Sequence, residues 1–197
     1  MIVERAPDYF TPVLGWRVWL VVRARGALRL RSVAFQTFWY PREELTASCE
    51  GRSLMSRIRR RAPHETPQVH CDCGIHAAKE IGMAAGYLST YDDVLAPVVV
   101  HRVIGRVSLW GSVVEGEFGL RAACAYPQHL YVPPRRANGP AVPARAIADS
   151  LVDYGVPVEV LDEEEHEDIV GALVEAGQWR RRVTRAGPRF PARVFGR

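Results

Sequence analysis

The residues best suited to chemistry are three cysteines and a histidine that fall within 25 residues of one another, Cys49, His64, Cys71 and Cys73. Thiolate and imidazole are the ligands that zinc prefers, and three cysteines with one histidine form a common closed, tetrahedral structural site. The set therefore predicts a structural zinc site. Redox-active thiols, or a chance grouping without a shared role, are the alternatives.

The identity of the histidine ligand is less determined than the existence of the cluster. His64 is the first choice, because its position seven residues before Cys71 leaves the chain room to turn back. His70 is adjacent to Cys71, and binding by both neighbours would strain them. His70 and His76 remain the alternatives to His64.

A catalytic zinc would need an open coordination position and a nearby acid or base. His64-Glu65 followed by Cys71 and Cys73 superficially matches the zinc deaminases, whose pattern is H-x-E with P-C-x-x-C. Here no residue separates His64 from Glu65, and the cysteines are one residue apart instead of two. The usual hydrolase, metalloprotease and nucleotide-binding motifs do not occur. No catalytic residue is predicted, and a zinc enzyme is the less favoured alternative.

Two hairpins are predicted to position this cluster. Residues 16–22 alternate with a period of two, which indicates a strand; Arg25-Gly26 supplies a turn and residues 28–32 return. One face of this hairpin is apolar, and the other, with arginines that include Arg17, is expected to face solvent. Residues 107–113 and 120–126 form the second hairpin, in which Cys124 is expected to be a small core residue.

Residues 38–74 lack regular periodicity and are rich in proline, cysteine, histidine and charge. Such a long irregular segment needs an anchor of its own, and a bound metal can supply it because its binding free energy becomes folding free energy. The alanine-rich stretch from His76 to Tyr87 then predicts a short helix.

The C-terminal part changes character. Helical spacing over residues 144–152, a strand at 156–161 and a helix that begins with an Asp162/Glu165 capping box predict a helix-strand-helix unit. The predicted fold class is α+β, with an antiparallel β-hairpin core, a zinc-stapled loop and a small C-terminal αβα unit. Four segments are expected: a β-rich metal domain (1–132), a Pro-rich connector (133–143), the helix-strand-helix unit (144–178) and a basic tail (179–197).

The formal charge of +4 is unevenly distributed. Arg57, Arg59, Arg60 and Arg61 form one basic run, and the last 18 residues, from Arg180 to Arg197, carry seven arginines and no acid. Basic runs attract phosphate backbones, although charged termini are more often solvated tails. A nucleic acid is therefore the alternative partner.

No apolar run reaches the roughly 18 residues that a membrane-spanning helix needs. The first residues also lack the pattern of a signal peptide. A cytoplasmic location, reduced cysteines and the absence of a membrane partner are expected from these two observations.

An ordered series of motifs accompanies the cysteines. The series consists of Gly15-Trp16-Arg17, Trp39-Tyr40-Pro41, Cys49, His64-Glu65-Thr66-Pro67, Cys71-Asp72-Cys73-Gly74-Ile75 and Leu109-Trp110-Gly111 with Gly119-Leu120-Arg121-Ala122. It resembles a pattern found in a group of small actinobacterial proteins. The resemblance implies that the Cys, His, Cys, Cys set forms a unit with the Leu-Trp-Gly hairpin. It implies no activity.

The expected function is that of a non-enzymatic, zinc-stabilised binding or adaptor protein with an unknown protein partner. Four tryptophans in the first 110 residues are consistent with this function, because tryptophan is enriched at interface hot spots. Packing of the same side chains in the β core is the alternative.

Overall fold

A computed structural model describes residues 11–49, 64–89, 99–134, 142–169 and 171. The strands in these ranges are β1 (Val13–Ala24), β2 (Ala27–Ser32), β3 (Phe38–Trp39), β4 (Leu45–Thr46), β5 (Ile75–Ala78), β6 (Val99–Glu115), β7 (Gly119–Val132) and β8 (Val158–Val160). The helices are α1 (Ile81–Ser89), α2 (Ala144–Leu151) and a 3₁₀ turn (Val152–Tyr154), and residues 163–169 are also helical. The predicted α+β class is confirmed, with a mostly antiparallel sheet.

Four strands close into a ring. β6 pairs with β1 along most of the length of β1, from Val13 to Val22, and with β7 on its other side. β5 pairs with β7 and, through Ala78, with Trp16 of β1, so the order β1, β6, β7, β5 returns to β1. β2 and β3 extend from β1, while β4 and the parallel strand β8 join β7. The result is a small barrel with extra strands at its margins.

Glycines allow the strands of the ring to approach closely. A Cβ atom at Gly105 of β6 would lie 2.0 Å from the carbonyl oxygen of His129 on β7. A Cβ atom at Gly15 of β1 would lie 2.6 Å from the Cβ of Ala77 on β5. Any side chain at either position would separate strands that must pair.

Both faces of β1 are buried from Val18 to Val22, so the expectation of a solvated arginine face is wrong at Arg17, whereas Arg23 on the same face is exposed. Trp19 is fully buried and packs edge-on against Trp39, with ring centroids 5.5 Å apart. Arg17 lies on the same face: its guanidinium donates to Ser32 Oγ and to the His76 carbonyl and stacks on Trp39. Burial lowers the pKa of Arg17 to about 10. Barrel closure explains the difference, because a free hairpin would leave this face in water.

The C-terminal segment contributes to the same core. Ile147 and Leu151 of α2 are fully buried in the cluster that contains Trp19 and Trp39. The Tyr154 hydroxyl donates to the Trp39 carbonyl (2.6 Å) and accepts from the Leu30 N–H (2.9 Å). The domain boundaries set by sequence remain a prediction.

The first helix begins later than the sequence predicts. His76 to Ala78 belong to β5, and α1 starts at Ile81. Alanine favours helix, but here the edge of β7 pairs with these residues, and tertiary pairing overrides local propensity. Among the described helices, none has both the length and the apolar character needed to cross a membrane.

Candidate metal centre

The two ends of the cysteine-rich loop lie side by side on β7. After β4, the Ala47 N–H donates to the carbonyl of Ala123 (2.7 Å), and β5 begins with Ile75 opposite Ala122. The chain therefore leaves and rejoins the same strand edge at adjacent positions. Cys49 follows Ala47 by two residues and Cys73 precedes Ile75 by two, so the edge of β7 brings these cysteines together.

The structure brings all four predicted residues into one cluster. Their ligand atoms, the sulfurs of Cys49, Cys71 and Cys73 and a ring nitrogen of His64, all lie within 4.8 Å of one another. Cys49 Sγ is 3.2 Å from His64 Nε2 and 3.7 Å from Cys71 Sγ. A metal ion could be held by this group.

A backbone contact orients the His64 ring. Its Nδ1 lies 2.9 Å from the Glu65 carbonyl oxygen, which can only accept, so Nδ1 carries the proton. Nε2 is then the nitrogen that faces the cysteines, and in the neutral ring it carries the lone pair that a metal would need. Metal-binding histidines are commonly held in this way through their other ring nitrogen.

The alternative histidines lie outside the cluster. His76 is in β5, and its Nε2 donates to the Asp72 carbonyl at 3.0 Å. His70 is exposed and does not belong to the group of close ligand atoms. The geometry therefore favours His64 among the three candidates.

Proximity shifts the pKa values of two thiols in opposite directions. Burial, followed by hydrogen bonding and repulsion from the neighbouring cysteines, raises the pKa of Cys49 to about 12. For Cys71, burial acts in the same direction, but hydrogen bonds from the Cys73 N–H and from the Cys73, Cys49 and His64 side chains outweigh it and lower the pKa to about 7. Thiolates at these three positions would repel one another. A cation bound between them would relieve that repulsion.

Arg121 on β7 donates hydrogen bonds to backbone carbonyls of the loop, and the sequence did not predict this contact. Its Nη1 donates to the carbonyls of Gln68 (3.2 Å) and Cys73 (3.1 Å) and also to that of Cys71. Arg121 lies opposite His76 in the β5–β7 register, so its position in the strand directs it towards the loop. The Gly-Leu-Arg-Ala motif contained this residue, but nothing local to it indicates three carbonyl partners.

Gly74 makes room for this arrangement at the end of the loop. It has a φ of +115°, and a Cβ there would lie 3.0 Å from that of Pro67 and 3.1 Å from that of Arg121. A larger residue would be strained at this positive φ and would also require Pro67 and Arg121 to shift. Glycine is therefore required where the loop meets the barrel.

The remaining predicted residues lie elsewhere. Cys124 is half-buried on β7 and outside the cluster. The arginine run at 57–61 and the tail from 179 to 197 lie outside the described residues. Reciprocal hydrogen bonds between Asp162 and Glu165 form the predicted capping box.

The four tryptophans of the first 110 residues divide between buried and half-buried positions. Trp19 and Trp39 are buried, whereas Trp16 and Trp110 are half-buried. Trp110 lines an open groove of about 630 Å³. Its other apolar walls are Pro12, Tyr126, Pro127, Val156 and Pro157, and Ser108 and Gln128 add polar groups.

Comparison with known proteins identifies no relative: no protein-family model, no curated protein and no solved structure matches the chain.

Proposed function

We propose that this chain is a non-enzymatic binding or adaptor protein of the cytoplasm whose loop is held by one structural zinc ion. The observation that carries the proposal is the convergence of the Cys49, His64, Cys71 and Cys73 ligand atoms within 4.8 Å of one another. The metal is inferred from the chemistry of these residues and of their surroundings.

The donor set supports zinc. Three thiolates and one imidazole provide the four ligands of a closed tetrahedral site and match the softness of zinc better than that of magnesium or calcium. Zinc with three thiolates has one negative charge in excess. The Arg121 guanidinium donates hydrogen bonds to the carbonyls of Cys71 and Cys73. Its positive charge would therefore offset that excess.

A structural role follows from how little else holds the loop. Among its described residues, 49 and 64–73, only Pro67 is buried. Burial of apolar surface therefore contributes little to its stability, and a cross-link through a metal would replace it. Four protein ligands also leave no open position for a substrate, which supports a non-enzymatic role.

The groove beside Trp110 supports a binding role. Its aromatic and proline walls resemble in composition the surfaces at which proteins recognise other proteins, and Ser108 and Gln128 can add hydrogen bonds. Removing Trp110 by Trp110→Ala should abolish capture of a partner that uses this groove while leaving the zinc content unchanged.

The first test is elemental analysis of the purified full-length chain, with circular dichroism before and after a strong chelator. We expect about one zinc per chain, with removal changing the loop signal and exposing thiols to a thiol reagent. Cys73→Ser should lose the metal, and Cys124→Ser, which alters a cysteine outside the cluster, should keep it. A folded, metal-free protein with four reactive thiols would overturn the proposal.

Two further experiments separate the alternatives. A zinc enzyme needs an exchangeable water on the metal, so azide would change the visible spectrum of its cobalt-substituted form. The proposed closed site has no such water, and its spectrum should not change. Binding of nucleic acid through the arginine run or the basic tail should fall steeply as salt rises, whereas an apolar protein interface should change little.

A further inference from the structure

We infer that Cys49 and Cys71 are an oxidation-sensitive pair, which a peroxide converts to an intramolecular disulfide with release of the metal. The inference rests on the proposed zinc site for its second half. The disulfide itself depends only on the positions of the two cysteines.

The geometry brings this pair close together. Cys49 Sγ lies 3.7 Å from Cys71 Sγ, and a disulfide needs these sulfurs to approach to about 2.05 Å. Cys49 is exposed, whereas Cys71 and Cys73 are partly buried. An oxidant in solution can therefore reach the pair through Cys49, and the short distance between the two sulfurs keeps Cys71 close enough to complete the disulfide.

The reaction has two balanced steps. The thiolate of one cysteine of the pair attacks one peroxide oxygen, the O–O bond breaks, hydroxide leaves and a sulfenic acid forms. The thiolate of the other cysteine then attacks the oxidised sulfur, the S–S bond forms and the S–O bond breaks with loss of a second hydroxide. The two sulfurs lose two electrons in total, hydrogen peroxide gains them, and two protons from solvent convert the hydroxides to water.

Oxidation would exchange one cross-link for another. The metal loses two of its four ligands, and His64 and Cys73 alone do not make a closed site. The disulfide would still join the chain after β4 to the loop before β5, and Arg121 would still bind the carbonyls of Gln68, Cys71 and Cys73. We therefore expect the oxidised protein to keep its barrel, while the link through His64 is lost.

The test treats zinc-loaded full-length protein with increasing hydrogen peroxide. Released zinc is followed with a chromogenic chelator, free thiols are counted, and the linkage is mapped by mass spectrometry of an unreduced digest. We expect release of about one zinc per chain, a fall from four to two free thiols, and a single Cys49–Cys71 linkage. A reductant followed by zinc should restore the starting state. Linkage of Cys71 to Cys73, or between chains, would overturn the inference.

Two variants sharpen the result. Cys124→Ser should respond as the wild type, because this cysteine lies outside the cluster. Cys49→Ala should form no disulfide on the same treatment, and if it does not fold, the wild-type linkage map decides alone. Retention of zinc at peroxide concentrations that oxidise free thiols would refute the switch and leave the zinc site standing. Absence of zinc with formation of the Cys49–Cys71 linkage would refute the zinc proposal and support the oxidisable pair.

Discussion

The barrel interior and the cysteine-rich loop, although joined along β7, are held together by different forces. In the barrel, Trp19, Leu30 and Leu109 are completely buried, and each removes apolar surface from water. In the described part of the loop, one side chain is buried, and the polar cluster lies at the surface. One chain thus combines a region stabilised by burial with a region that hydrogen bonds attach to a neighbouring strand and that the proposed metal would cross-link.

The difference has a consequence for mutation. If the proposed zinc site is right, a change in the barrel core should alter the free energy of unfolding while the native protein keeps the metal. A change around the cysteines should alter metal affinity while the barrel core remains intact. The following predictions test that separation, from the largest expected effect to the smallest.

Trp39→Ala should destabilise the protein by about 3–5 kcal/mol. The substitution removes the edge-on contact with Trp19 and the hydrogen bond from Trp39 Nε1 to Ser32 Oγ at 3.0 Å. Denaturant unfolding measures the loss, and Trp39→Phe, which keeps an aromatic ring but not the N–H, should lose less. If native Trp39→Ala protein lost its zinc as well, the two regions would not be independent.

Tyr154→Phe should cost about 1–3 kcal/mol at neutral pH, because the Trp39 carbonyl and the Leu30 N–H lose their shared partner. Burial raises the pKa of Tyr154 to about 12, above its ordinary value of 10. The folded state thus favours the protonated phenol, and this stabilisation is present below pH 10 and is lost as the pH rises towards 12.

The difference in free energy of unfolding between wild type and Tyr154→Phe should therefore decrease by up to about 2–3 kcal/mol as the pH rises from 10 towards 12. Other groups that titrate there, such as Arg17, are present in both proteins and cancel in the difference. Unfolding curves at a series of alkaline pH values provide the measurement. A difference that does not change with pH would show that the phenol is not protected from solvent.

Arg121→Ala should weaken zinc binding about 10–100-fold, the usual effect of removing a group that orients metal ligands. Competition with a chelator of known affinity measures the change. Arg106→Ala is the matched control, because Arg106 lies on β6 and stacks on Trp16 instead of contacting the loop. Equal losses in both variants would point to a general effect of positive charge.

Arg145→Ala should have the smallest effect, at most about 0.5 kcal/mol. Arg145 and Asp149 form an exposed pair at 3.3 Å on successive turns of α2, and such pairs contribute little in water. A thermal unfolding midpoint within error of the wild type is expected, with the same zinc content. A larger loss would indicate that α2 contacts more of the chain through this face than the described residues account for.

Parts of the fold follow from local patterns. Arg25 and Gly26, both with positive φ, form the turn between β1 and β2 where the alternating pattern is interrupted. The reciprocal Asp162 and Glu165 bonds were likewise readable from a spacing of three residues. Both features depend on neighbours in the chain, so the sequence carries enough information to predict them.

Other parts depend on partners distant in sequence. His76 to Ala78 form a strand because β7 offers an edge to pair with, although the alanine-rich stretch that begins at His76 predicts a helix. Arg17 is withdrawn from water because β5, β2 and Trp39 close around it, which a single hairpin does not reveal. The role of Arg121 arises from a register pairing with β5, and no local motif encodes it.

For the candidate site, the residue types alone indicate the chemistry. Cysteine and histidine are rare residues whose donor atoms suit zinc wherever they lie, so a concentration of them in an irregular segment is informative. The tertiary structure decided the choice of His64 over His70 and His76. It also decided that Cys49 and Cys73 lie near adjacent positions on one edge of β7, with Arg121 bonded to the loop between them. Distances between residues far apart in the chain are set by strand pairing, and pairing depends on the fold as a whole.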